Sequence, residues 1–364
     1  MVGVFFGGMS CEHDISIITG LQAMSACGRD NIGVYIDECG VWWTSDGFDS
    51  VNAVKNKRFK GKRVHIRAGE PFLYCKNKRL CKIDTALLCM HGMLGEDGAL
   101  QGLLEMSGIA YTGSGILASA VGMDKLCSKK IFKAAGLKVA PYVALSRATY
   151  EKDVSTALKP IKTKLGYPVI VKPCNLGSSI GISVAKTQDE LYTALRVAFE
   201  WDDVVIVEKA IENFTEINCA VIGDGPFDDF LGGEADPSDT EQPVGWESFL
   251  TFSDKYAGDV KATRHKIPAD VSDEMNDKIK SLAVKAYKAV GCCGVARIDF
   301  LVSGDDIYVN EINTIPGSLS NALFKSEIDF TKLIDLLLDR AVRRKKRFDA
   351  LKRTYTPVDP IIAK

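Results

Sequence analysis

The sequence predicts a mixed α/β and α+β fold divided among two or three domains. Three observations lead there. The chain has 364 residues, too many for one ordinary core. Strands and helices alternate over its first third. Two runs near residue 300 alternate polar and apolar residues with period two. With 46% hydrophobic and 26% charged residues the composition is that of a globular protein. A formal net charge of −1 argues against nucleic acid as the main partner.

The start, Met-Val-Gly-Val-Phe-Phe-Gly-Gly, has neither the basic nor the long apolar region of a signal peptide, and predicts a first strand over 2–6. The loop Gly7-Gly8-Met9-Ser10 follows. Asp14 is then expected to cap an apolar helix over 15–27, with a second strand over 32–37. Another strand, 85–90, runs into the loop His91-Gly92-Met93-Leu94-Gly95-Glu96-Asp97-Gly98. This order predicts an open, Rossmann-like α/β domain whose loops gather at the carboxyl ends of the strands. Gly7-Gly8 lacks the G-x-G-x-x-G spacing of a dinucleotide site, which speaks against a nicotinamide-dependent oxidoreductase.

Thr112-Gly113-Ser114-Gly115 is a natural break. After it come a helix over 123–135, a strand over 169–172, a glycine-rich turn, a helix over 189–199 and a strand over 204–208. The polar segment 233–259 is too long for an ordinary connection and is expected to form a lid. An amphipathic helix, 273–290, precedes the alternating strands, and the chain closes with a basic, solvated helix end at 340–347 and a tail from Thr354. The expected divisions are 1–113, 114–208, 209–347 with a lid at about 233–262, and a tail over 348–364.

No run approaches the roughly 20 apolar residues of a membrane span, so no membrane partner is expected. Eleven cysteines without a C-x-x-C pair, beside only four histidines, read as buried thiols in a reducing cytoplasm.

The alternating runs are Val295-Ala-Arg297-Ile-Asp299-Phe-Leu301 and Ile307-Tyr-Val-Asn-Glu311-Ile-Asn313. Arg297 and Asp299 share one face of a strand, as do Glu311 and Asn313. A three-residue loop centred on Asp305 would pair Asp299 with Glu311 and Arg297 with Asn313, bringing four polar side chains to one patch. Two carboxylates there need a cation, and oxygen ligands of this kind suit Mg²⁺. The plainer reading is the solvated face of an antiparallel sheet. Thr314-Ile-Pro-Gly317-Ser318 tips the balance, because that rigid turn can aim backbone N–H groups at the patch. A second constellation is Val169-Ile-Val-Lys172-Pro followed by Gly177-Ser178-Ser179-Ile-Gly181. A lysine at a strand end and a glycine-serine turn can hold phosphate together. Lys125, in Met123-Asp-Lys125-Leu, would be a second phosphate lysine.

These stations together resemble the D-alanine–D-alanine ligases of the ATP-grasp superfamily, over nearly the whole chain. The most specific stretches are His91-Gly-Met-Leu-Gly-Glu-Asp-Gly-Ala-Leu-Gln-Gly and Tyr111-Thr-Gly-Ser-Gly-Ile-Leu-Ala-Ser-Ala; Val169-Ile-Val-Lys-Pro through Gly-Ser-Ser-Ile-Gly and Glu311-Ile-Asn-Thr-Ile-Pro-Gly come close behind and are the two that other ATP-grasp enzymes share. The resemblance implies an ATP-grasp fold behind a pre-ATP-grasp α/β domain, and synthesis of D-alanyl-D-alanine through a D-alanyl phosphate for peptidoglycan. ATP and two Mg²⁺, replaceable by Mn²⁺, are the implied cofactors, D-amino acids the substrates, and a homodimer the implied assembly.

By the same resemblance Lys125, Lys172 and the lid's Lys255 bind phosphates, and Asp299, Glu311 and Asn313 hold the metal ions. Glu208, Lys209 and Ala210 line the adenine pocket, and Glu216 meets the ribose. Glu12 receives the first substrate's ammonium and joins Ser178 and Tyr256 in a network linking domain, loop and lid. His91 lies near that substrate; Arg297 and the N–H near Gly317 hold the oxyanion. Ser318, Ser320 and Leu323 face the second substrate. Ala322 stands where many members have a carboxylate-binding serine, which keeps D-alanyl-D-serine synthesis as the alternative. A non-catalytic ATP-binding protein would be expected to lose Arg297 or a metal ligand, and all are present.

Overall fold

The computed structural model describes residues 1–225, 235–244 and 264–352. The apolar run at the start forms β1 (Val2–Gly7), which is buried along its whole length and pairs in parallel with β2 (Asn31–Ile36). The sheet turns antiparallel through β3 (Trp42–Thr44), β4 (Lys62–Arg67), β5 (Glu70–Cys75) and β6 (Lys78–Lys82). On the other side of β1 lie β7 (Thr85–Leu88) and β8 (Ala110–Tyr111), both parallel. The helix His13–Ala26 packs on β1. Its N-cap residue is Glu12, not Asp14; Asp14 sits in the first turn and pairs with Lys55.

The expected helix over 123–135 is Lys125–Ala134, preceded by a further helix, Ile116–Met123, which meets it at Asp124. The Asp124 carboxylate accepts from the Cys127 N–H at 2.8 Å, the capping that starts the second helix. The next sheet is antiparallel, in the order β11 (Ser183–Ala185), β10 (Val169–Pro173), β12 (Val204–Lys209) and β9 (Tyr142–Ser146). The helix Gln188–Phe199 buries Leu191, Ala194, Leu195, Ala198 and Phe199 against it, the spacing of a helix with one apolar stripe.

The third sheet runs β15 (Arg264–Lys266), β14 (Asp236–Val244), β13 (Thr215–Gly223), β16 (Gly294–Ser303) and β17 (Asp306–Asn313). Part of the polar stretch expected as a lid is therefore strand β14; residues 245–263 lie outside the described residues. The helix Asp273–Val290 covers this sheet with the bounds its sequence predicts. The Ser272 hydroxyl accepts from the Met275 N–H, and Gly291 ends the helix at φ 78°. Ile279, Ala283, Ala286, Tyr287 and Val290 point inward, and each large side chain so buried stabilises by about 1.5–3 kcal/mol.

The last helix, Phe330–Asp349, buries Leu333, Ile334, Leu337 and Leu338 in the same core as Val4, Phe5 and Leu87 of the first sheet. Its basic end is tied down: Arg344 donates to the carbonyls of Gly113 at 2.5 Å and Tyr111 at 2.7 Å. All eleven cysteines carry free thiols, but they are not all buried as expected: Cys11, Cys39 and Cys127 are exposed.

Candidate active site

β16 and β17 pair so that Asp299 faces Glu311 and Arg297 faces Asn313, the register expected from sequence. The route to it differs. The turn has two residues, Gly304-Asp305, with Ser303 opposite Asp306, and a bulge beside Asp299 makes up the difference. Phe300 pairs with Val309 and Asp299 with Glu311, so Asn310 is the extra residue. Without that bulge Asn310 would share the face of Asp299, and Glu311 would point into the core.

Asp299 accepts from Arg297 Nε at 2.6 Å and Nη2 at 2.8 Å, and from Asn313 Nδ2 at 3.0 Å. Burial alone would lower the Arg297 pKa; the Asp299 carboxylate outweighs it and raises the value, so this guanidinium is a fixed cation. Asp299 lies opposite Asn218 of β13, and Asn218 opposite Glu241 of β14. Glu241, Asn218, Asp299 and Glu311 thus form one polar row across four strands. Asn218 Nδ2 donates to Glu241 at 3.1 Å, and His265 Nδ1 lies 2.9 Å from the same carboxylate. Burial pushes the Glu241 carboxyl up, but those two partners hold it below its ordinary value.

Among the described residues no cluster of three His, Cys, Asp or Glu exists that could hold a metal. Two carboxylates and the Asn313 carboxamide do converge on neighbouring ladder positions. Such a set fits a hard cation that takes the rest of its shell from phosphate and water.

Lys125 Nζ donates to the Leu176 carbonyl at 2.5 Å and lies 3.8 Å from Glu311 Oε2, joining the glycine-serine turn to the hairpin. Lys172 Nζ donates to Glu208 Oε2 at 3.0 Å and to Asn310 Oδ1 at 3.1 Å. The bulge therefore also supplies a lysine acceptor. Lys129, one helical turn after Lys125, is 1% exposed; its Nζ lies 3.0 Å from Glu208 Oε1 and donates to the Asn310 carbonyl at 3.2 Å. Burial pushes the Glu208 carboxyl up, and the two ammonium groups more than reverse this, holding it at about 2. Burial pulls Lys129 down despite Glu208. Glu208 is an ionised carboxylate between two cations.

Glu12 Oε1 accepts from the Ser178 hydroxyl. A Cβ at Gly177 would lie 2.5 Å from Glu12 Oε2, and one at Gly92 2.8 Å, so both loops press backbone against this carboxylate. Ser178 and Ser179 adopt φ of 52° and 58°, and Ser318, Leu319 and Ser320 adopt 46°, 51° and 52°. Left-handed backbone costs non-glycine residues about 1 kcal/mol or more each, and persists where its surroundings impose it.

His91 is buried, and burial holds it below its ordinary pKa. Its Nδ1 meets the Ile315 carbonyl at 2.8 Å, so it carries the proton there. Its Nε2 then accepts from Thr19 Oγ1 at 2.9 Å. Thr19 Oγ1 in turn accepts from the Ser318 N–H at 3.1 Å. Glu96, also buried, accepts from the N–H groups of Ile315 at 3.0 Å and Gly92 at 3.2 Å. Burial and the nearby Glu12 push its carboxyl up to about 7.

Lys209 Nζ donates to the Tyr167 carbonyl, and the Ala210 N–H to that of Pro168. Glu216 lies on β13 opposite Leu301 and acts electrostatically on Arg297 and His265. Gly317 opens a short 3-10 turn, and Leu323 and Ser320 are buried behind it. The Ser318 hydroxyl donates to Gln22 Oε1 at 2.6 Å. Lys255 and Tyr256 lie outside the described residues. Sequence reasoning missed Lys129, Asn310, Thr19 and Glu96. Lys129 left a signal, since it falls on the buried helix stripe with Lys125, Ser128 and Phe132; so did Asn310, where the buried series Ile307, Val309, Ile312 breaks its period.

Family models described as D-ala D-ala ligase N-terminus and C-terminus match residues 1–114 and 131–339. A D-alanine–D-alanine ligase of Chloroherpeton thalassium is 37% identical over 94% of this chain and 96% of its own. Among solved structures, the VanG D-Ala:D-Ser ligase of Enterococcus faecalis superposes with a TM-score of 0.79 at 30% identity, covering 93% of this chain and 98% of that one. The D-alanine–D-alanine ligase of Coxiella burnetii gives 0.77 at 27%, over 96% and 95%.

Proposed function

Because the chain belongs to the D-alanine–D-alanine ligase family, we propose that it joins two D-alanines at the expense of ATP, making a building block of peptidoglycan. The observation that carries this reading is the bond from His91 Nδ1–H to the Ile315 carbonyl, two residues beyond Asn313. It ties the first domain's substrate loop to the end of the metal-suited hairpin.

In this reading Glu12 takes the ammonium of the first D-alanine, with Ser178 orienting it. Lys125 and Lys172 hold phosphate oxygens, with Lys255 expected to join them, while Glu208, Lys209 and Ala210 border the adenine and Glu216 the ribose. Asp299, Glu311 and Asn313 would hold two Mg²⁺, which when bound would neutralise phosphate charge. A carboxylate oxygen of the first D-alanine bonds to the γ-phosphorus and ADP leaves. The amine of the second D-alanine then bonds to the acyl carbon, phosphate leaves with the oxygen, and the proton the nitrogen gives up ends on the released phosphate. Arg297 and the Gly317 N–H stabilise the oxyanion between those events. Closure by the segment bearing Tyr256 would keep water from the acyl phosphate. Ser318, Ser320 and Leu323 border the second substrate, the enzyme works in the cytoplasm, and it assembles as a homodimer.

Ala322, together with the likeness to a D-Ala:D-Ser ligase, favours D-alanyl-D-serine as the second reading. Phosphate and dipeptide release are measured with ATP, Mg²⁺ and D-alanine, alone and with D-serine. Phosphate release matched by D-alanyl-D-alanine is expected, with loss on chelation and recovery with Mg²⁺. ATP turnover indifferent to every D-amino acid would overturn the reading.

A further inference from the structure

Eleven of the 46 Lys and Arg residues fall between Lys55 and Lys82, where Glu70 is the one acidic residue. The rest of the chain then carries 35 cations against 46 acids, so a near-neutral total conceals a strongly basic patch on an acidic body. The patch is the antiparallel extension β3–β6 and the loop before β4, a stretch that contains none of the ligase site residues. Four of its cations have carboxylate partners: Lys55 with Asp14, Lys57 with Asp37, Arg79 with Glu70 and Lys82 with Asp84. Arg58, Lys60, Lys62, Arg63, Lys76 and Lys78 are exposed, and no carboxylate among the described residues pairs with them.

Beside them lies an open groove of about 890 Å³. Trp42, Val64, Ile66 and Leu103 supply an apolar floor, with Lys62 and Lys76 along the rim. Leu80 and Leu103 remain 38% and 37% exposed. On the opposite sheet face the aromatic rings are already covered. Arg67 lies 4.1 Å over Tyr74, His65 stacks on the same ring, Arg79 lies 4.3 Å over Phe72 and Arg63 5.7 Å over Trp43. Those rings offer no open platform on which a nucleic-acid base could stack, which single-strand binding sites provide.

We propose that this face docks on the surface of an anionic lipid bilayer, with cations against the headgroups and the apolar groove against acyl carbons. The expectation of no membrane partner rested on the absence of a spanning segment, and peripheral docking needs none. Each cation near such a surface strengthens binding by roughly fivefold at moderate salt, so several act together as one site.

The test is co-sedimentation of the full chain with vesicles of phosphatidylcholine alone or mixed with phosphatidylglycerol. Binding is expected only to the mixed vesicles, and weaker binding as salt rises. The variant Lys60→Glu, Lys62→Glu, Lys76→Glu, Lys78→Glu should lose roughly a hundredfold or more in binding while keeping wild-type dipeptide synthesis in solution. Failure of the wild type to bind mixed vesicles at low salt would overturn the proposal. So would equal binding by the variant, or capture by a single-stranded oligonucleotide that excess mixed vesicles cannot displace.

Discussion

Lys129 Nζ lies 3.0 Å from one oxygen of Glu208 while Lys172 Nζ lies 3.0 Å from the other. A carboxylate held between two ammoniums in a dry interior stays ionised, and it fixes the position of Lys172 beside the hairpin. Lys129→Met removes one of these cations and leaves Glu208 half paired. Breaking a buried pair destabilises by about 3 kcal/mol or more. Denaturant unfolding should show that loss, and the KM for ATP should rise more than that for D-alanine. An unfolding midpoint equal to wild type would refute a stabilising role.

Gly177→Ala places a methyl group 2.5 Å from Glu12 Oε2, against a carboxylate flanked by a second glycine. Glu12 must move by about an ångström, and displacements of that size cost roughly a hundredfold. Steady-state kinetics should show kcat/KM for D-alanine reduced by about that factor, a larger loss than the one for ATP.

Asn310→Ala keeps the bulge, which depends on backbone, but removes an acceptor from Lys172. A buried donor stripped of a partner destabilises by about 1–3 kcal/mol. The circular dichroism spectrum should stay that of the wild type while the KM for ATP rises severalfold.

Glu96 carries a pH dependence of defined sign. Its folded carboxyl, at about 7, lies above the ordinary value of 4.5, so the folded state binds the proton more tightly than the unfolded state. That contribution is complete below about pH 4.5 and is lost as pH rises through about 7, amounting to roughly 3 kcal/mol. Unfolding free energies of wild type and Glu96→Gln, measured from pH 4.5 to 8, should differ in slope, the variant being the flatter. Parallel curves would show that Glu96 is ionised throughout.

The sequence disclosed the parts of the site that repeat with a simple period. The faces of Arg297, Asp299, Glu311 and Asn313 follow from alternation, and the helix Asp273–Val290 from its cap, stripe and terminal glycine. Two local choices stayed hidden because they are set by tertiary packing. The turn of β16–β17 and its bulge are separate events whose effects on register cancel, so a wrong loop length still gave the right partners. Asp14 resembled a cap by composition, yet the chain reserves the helix entrance for Glu12, which must reach Ser178. The long-range bonds of His91 and Glu96 to Ile315, more than 200 residues away, have no local signature at all.

The last helix, Phe330–Asp349, completes the hydrophobic core begun by Val4 and Phe5. During synthesis the first domain therefore emerges with one apolar flank uncovered. It stays so until about 225 further residues have been added, on the order of twenty seconds at common elongation rates. A fragment ending near residue 113 should consequently associate or be degraded rather than persist as a free domain.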